Sequence, residues 1–285
     1  MSSVAMTVQF NGEFLSSEQY ISLRTAGKVF KHLQAAVDRA YLYKEGKLYK
    51  NARVSRYEYQ KDIIWLGETK ANCRLFEILS NIKDLNVIDI VKQRCKNINR
   101  EIIDMSFQDC LDEIREERNL YKLRVENGHV IPVQYKEFML KEKNIFEKRY
   151  VERAIAKEIA AIGSVVRSPA AGESSVNLSF NDDEHFIFEI NRKRAEIINK
   201  VVNQRTLSDP VILLGVFRGG DIKNKKGKFD NRITGKTSNL LFATEEECIE
   251  LNKYSGSSIS IIGCPVVEYG TYDTEAGDIY FLLKR

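Results

Sequence analysis

Histidine, tryptophan and proline are scarce in this chain, and no apolar run approaches the length of a bilayer. Each shortage removes a class of function. His32, His129 and His185 are the only imidazoles, and none has a second His or Cys at metal-ligand spacing, so no metal is expected. Three histidines are also few for a hydrolase. The cysteines, Cys73, Cys95, Cys110, Cys248 and Cys264, are scattered and form no C-x-x-C pair, which fits free thiols better than a disulfide framework or a zinc site. A membrane-spanning helix needs about 20 apolar residues, and nothing in the sequence supplies them. The N-terminal segment lacks a basic start followed by an apolar block, so the reading is of a cytoplasmic chain with no membrane partner. Phosphate cradles are missing too. Gly215-Val216-Phe217-Arg218-Gly219-Gly220 opens into a lysine-rich hairpin where a dinucleotide site needs a helix N-terminus. Gly227-Lys228 lacks the upstream glycine and the Ser or Thr of a P-loop, and no cofactor is expected.

What is present is enough to build a folded protein of two domains. The chain has 285 residues, 43% of them hydrophobic and 29% charged, and a domain takes about 100–200 residues. The N-terminal part reads as strand, helix, hairpin, helix. Val8 and Phe10 lie in a strand, and Ala26, Phe30, Leu33, Val37 and Ala40 recur at helical spacing over residues 18–43, with Ser16 or Ser17 as cap and Gly46 as stop. Strands are expected over 53–66 and 73–79, joined by the polar turn 67–72. A second helix over 86–106 carries the strict three-four stripe Ile88, Val91, Cys95, Ile98, Ile102 and Met105, with Lys92, Lys96 and Arg100 as a basic stripe on its other side. Residues 109–123 and 146–162 read as helices, and 129–135 as an extended stretch around Pro132. The small-residue run 168–175, carrying Pro169 and Gly172, reads as a linker, which gives domains 1–166 and 176–285.

The second of these opens with a strand-helix unit, strands at 176–180 and 185–190 and a helix at 192–204. It continues as strand-like runs at 211–217, 240–242, 259–263 and 279–283 around an acidic helix, which read as a small curled sheet or barrel. The fold class is therefore α+β: an N-terminal sheet with long packing helices, followed by a small β-barrel-like domain. Net charge is only +4, too mild to identify a partner, but its distribution is uneven. Arg218, Lys223, Lys225, Lys226, Lys228, Arg232 and Lys236 stand against Asp221 and Asp230, while Glu245, Glu246, Glu247 and Glu250 follow. A lysine-rich hairpin can track phosphates, with Phe217, Phe229 and Phe242 as stacking faces. Lysine also protects an exposed sheet edge from aggregation.

Catalysis has one local candidate. Asp182-Asp183-Glu184-His185 sets an imidazole beside three carboxylates, which would tighten its hold on a proton. A solvated turn explains the same residues.

The layout resembles a set of uncharacterised bacterial proteins, some encoded near antiviral defence genes. The residues that carry the likeness are the hairpin 63–79, the strand-to-helix step 186–198 and the strands 213–217 and 258–263. The terminal module is similar in outline to the oligonucleotide-binding fold. The resemblance implies an accessory or sensor role and transfers no catalytic residue. The leading reading is thus a binding module for nucleic acid or a protein partner, with the basic hairpin as its contact surface. Two alternatives stand beside it: a hydrolase or nucleotide-processing enzyme centred on Asp182, Asp183 and His185, and a homo-oligomeric structural protein assembled through the 88–105 helix.

Overall fold

The computed structural model describes residues 2–13, 15, 20–48, 52–55, 65–70, 75–81, 85–104, 110–180 and 186–285. Among these residues the fold is α+β, with two sheets and two compact units. Neither unit is continuous in sequence: one comprises Met1–Ser106 with Val151–Asn203, the other Phe107–Tyr150 with Gln204–Arg285.

In the first unit, the strands β1 (Ser2–Asn11), β2 (Trp65–Lys70), β3 (Leu75–Asn81), β5 (Ser175–Phe180) and β6 (Ile187–Asn191) form an antiparallel sheet in the order β2-β3-β1-β5-β6. Period-two alternation puts Val8, Phe10, Phe76, Val176, Leu178 and Phe188 inside. Helix α1 (Leu23–Lys44) buries Val29, Leu33 and Val37 of its apolar stripe, and Phe30 completes an edge-to-face cluster with Phe10 and Phe76. Its cap is Ser22, whose Oγ accepts from the Thr25 amide, so the helix begins later than residue 18. Ser16 and Ser17 lie outside the described residues. Helix α2 (Leu85–Asp104) buries Ile88, Val91, Cys95 and Ile98 of the six-residue stripe within this unit, while Ile102 is half-buried and Met105 lies outside the described residues.

Two expectations need correction. Residues 53–55 are not strand, and β2 runs through Gly67 to Lys70, where a turn was expected, with a register shift between Leu66 and Thr69. The run 168–175 is not a joint between domains. It holds a short 3-10 turn, Pro169–Ala171, and leads into β5, which pairs with β1 from Met6↔Phe180 to Asn11↔Ser175. Pro and Gly there mark a tight turn, with Gly172 at φ 50°, and residues 176–203 fall in the first unit with α5 (Arg192–Val202).

The second unit contains α3 (Cys110–Glu126), β4 (Val133–Gln134), the start of α4 (Tyr135–Val166), β7 (Arg205–Leu207), β8 (Val211–Asp221), β9 (Lys226–Asn231), β10 (Thr237–Leu241), α6 (Glu245–Asn252), β11 (Ser258–Glu268) and β12 (Ile279–Lys284). Pairing runs β8-β9-β10-β12-β11 and returns from β11 to β8, with β10 and β12 parallel and the other pairs antiparallel. The sheet is therefore curled around its own inner face. Helix α4 starts well before the expected residue 146 because Tyr135, Phe138 and Phe146 pack with Tyr272 on that core.

Inside the curl, large side chains sit over glycines. A Cβ on Gly215 would lie 2.7 Å from the Phe229 ring, and one on Gly227 would lie 2.7 Å from the Phe217 ring. The two strands carry the same Gly-x-Phe order and run antiparallel, so each phenylalanine fills the space the other strand's glycine leaves.

Candidate nucleic-acid interface

The inward set on β9 is Gly227, Phe229 and Asn231, which turns Lys226, Lys228 and Asp230 outward. On β10, Ser238 and Leu240 face in, and Thr237 and Asn239 face out. On β8 the register slips between Phe217 and Gly219, whose φ is 125°, and the bulge presents Arg218 on the same outer face. Helix α6 and the turn that follows it hold the end of β8 in place. The Asn252 side chain accepts from the Gly220 amide at 2.8 Å and donates to the Gly220 carbonyl, and Ser255 Oγ donates to the Arg218 carbonyl at 3.1 Å.

Two polar rows cross this face. In one, Asp230 on the middle strand accepts from both neighbours: Arg218 Nε donates to Oδ2 at 2.5 Å and Thr237 Oγ1 to Oδ1 at 2.7 Å. These bonds, Thr237 first and Arg218 second, hold the Asp230 carboxyl below the usual carboxylate range. In the other row, Lys228 Nζ donates to Asn239 Oδ1, and Asn239 Nδ2 donates to Asp278 Oδ1 at 2.8 Å.

The remaining cations flank the face. At the β8–β9 tip, Asp221 accepts from the Asn224 side chain and backbone, which lowers its pKa, and Lys225 follows at φ 51°. This turn leaves Lys223 exposed. At the β9–β10 tip, Asn231 Oδ1 accepts from the Ile233 amide at 2.9 Å, and Arg232 and Lys236 project to solvent. Lys223, Lys226, Arg232 and Lys236 have no ion-pair partner among the described residues. At a strand rise of about 3.3 Å per residue, the two tips bracket a strip as long as β9.

The expected stacking faces are not on this surface. Phe217 and Phe229 are 0% exposed and Phe242 is 3% exposed, because all three build the core. That part of the sequence reading is corrected: the hairpin offers charge and hydrogen bonds, with no aromatic side chain among its outward positions on β8, β9 and β10.

Other sequence candidates fall elsewhere. Asp182, Asp183 and His185 lie outside the described residues. His32 Nδ1 is 2.9 Å from Glu158 Oε2 in the first unit, and His129 sits at the end of α3. On α2, Lys92 is buried and Lys96 lies over the Phe186 ring, so that stripe is not a continuous solvated surface. Burial pushes the Cys248 and Cys264 thiols up, away from reactive thiolates. Among the described residues, no three His, Cys, Asp or Glu side chains gather as a metal site, and no helix is long and apolar enough to cross a membrane.

Sequence reasoning missed Thr237, Asn239 and Asp278. Thr237 and Asn239 stand at alternate positions opposite Asp230 and Lys228, a signal that becomes readable once the β9–β10 register is known. It also missed a buried clamp. Arg118 Nε donates to the Phe281 carbonyl at 3.0 Å, its guanidinium pairs with Glu247, and Glu247 further accepts from Lys122 and the Ala243 amide. This fixes α3 and the start of α6 to the curled sheet.

No family model, no curated protein and no solved structure matches the chain.

Proposed function

We propose that the second unit binds nucleic acid through the outward face of β8, β9 and β10, gripping the sugar-phosphate backbone rather than the bases. The observation that carries the reading is the group of exposed cations along one hairpin that have no carboxylate partner among the described residues. Unpaired surface cations are the groups that exchange counterions for phosphates. The order of pairing supports the same reading: strands first, second, third, fifth and fourth, returning to the first, with a helix between the third and fourth. That is the strand order of the oligonucleotide-binding fold, in which the second and third strands form the binding face. Here those strands are β9 and β10. With no base-stacking platform on the face, the preference is for backbone over sequence. In the antiviral setting suggested by the resemblance, such a face would register nucleic acid as an accessory or sensor rather than transform it.

The test is direct binding of labelled single-stranded and duplex DNA and RNA at low ionic strength. The variant Lys223→Gln, Lys225→Gln, Lys226→Gln, Lys228→Gln should lose most of the affinity and melt close to the wild type, because surface charges add little to folding, three of these being exposed and Lys225 half-buried. Absence of binding by the wild type to any of the four probes would remove this reading and leave the hairpin as a protected sheet edge.

A further inference from the structure

We infer that Arg218 and Thr237 form a phosphate subsite that the protein's own Asp230 occupies in the free state; this rests on the nucleic-acid reading above. Two donors from flanking strands converge on one carboxylate, and each of its oxygens takes one bond, from Arg218 Nε at 2.5 Å and from Thr237 Oγ1 at 2.7 Å. The pair of non-bridging oxygens of a phosphodiester offers a similar arrangement of acceptors. Arg218 is displayed at a bulge and its side chain is 64% exposed, so its guanidinium can be approached from solvent. Lys226 and Lys228, outward on the neighbouring strand, raise the local positive potential that draws a phosphate to this spot. An exposed ion pair of this kind is held only loosely, so a phosphate can exchange with it. Asp230 then acts as an internal competitor: it keeps the donors oriented, and it lowers affinity until it is displaced.

The experiment uses the full chain with a labelled oligothymidine and a labelled mixed-sequence DNA duplex. Asp230→Asn keeps an acceptor for Thr237 and removes the competing charge. It should bind about two- to fivefold tighter at low salt, the equivalent of one exposed pair. Its salt dependence should steepen by about 0.7 for the single strand or 0.9 for the duplex, because Arg218 now releases a full counterion. Asp221→Asn is the charge-matched control, since among the described residues the Asp221 carboxylate bonds within its own turn, and its affinity should stay near that of the wild type. Adding Arg218→Gln to Asp230→Asn should abolish the gain. Arg218→Gln alone, which needs no change at Asp230, should weaken binding, and thermal melts of all variants check the fold. The subsite is overturned if Asp230→Asn binds like the wild type, if Asp221→Asn gains as much, or if the gain survives loss of Arg218. If neither wild type nor variants bind either probe, the subsite and the reading beneath it both fail.

Discussion

At the scale of single residues, the pairing of glycine with phenylalanine explains why the hairpin is basic outside and aromatic inside. Read along the chain, Gly215 is one position of a strand-like run and Gly227-Lys228 is a fragment too short for a phosphate loop, so neither glycine shows a role. Their role is steric and appears across strands. A methyl group on Gly215 would come within 2.1 Å of the Asp230 carbonyl oxygen as well as meeting Phe229. Neither neighbour can swing aside, so Gly215→Ala should destabilise the protein by about 1–3 kcal/mol, measured by urea unfolding. A variant as stable as wild type would contradict the packing.

The Tyr135 and Tyr272 hydroxyls, 3.1 Å apart in the same core, give a second residue-scale test. Burial, first among the causes, pushes Tyr135 up to about 12 and Tyr272 well above its ordinary value. The folded state thus keeps protons that an unfolded chain releases near pH 10. Their contribution to stability is complete below about pH 10 and declines as pH rises toward 12. Tyr272→Phe should make the melting temperature fall less steeply over that alkaline range than it does in the wild type.

At the scale of elements, local patterns were legible wherever packing is local. The three-four spacing of Ile88, Val91, Cys95 and Ile98 marked a buried helix face, and all four are buried. With those side chains taken up inside the unit, the helix does not offer them as an exposed surface for self-assembly. The start of α4 was not legible, because Lys136, Glu137 and Lys141 surround the aromatic anchors Tyr135 and Phe138 and mask their period. The linker reading failed for a different reason. Composition marks a turn at 168–175, but only long-range pairing shows that the strand after it belongs with β1. A fragment beginning at Val176 would leave β5 without that partner. Its residues 176–203 should be cut rapidly in limited proteolysis while the same stretch resists in the intact chain; equal resistance would favour a division at the turn.

At the scale of the whole molecule, net charge says little and its placement says more. A formal charge of +4 conceals a hairpin with exposed cations at both tips and along its outer face. The location of this candidate surface was legible as a local charge excess, and its α+β setting followed from strand-like runs after helical ones. The role of the phenylalanines was not, since exposure within a strand depends on which face the register turns inward.

The account rests on phosphate contact by that face, and the salt dependence of affinity reads it directly. Four lysine contacts should give a slope of about −3 in a plot of log affinity against log salt for a single strand. The four-lysine-to-glutamine variant should give a much shallower line, keeping only what Arg218, Arg232 and Lys236 contribute, with a melting temperature close to that of the wild type. A wild-type slope near zero, or one that the four substitutions leave intact, would contradict the assignment of this hairpin as the phosphate-binding surface.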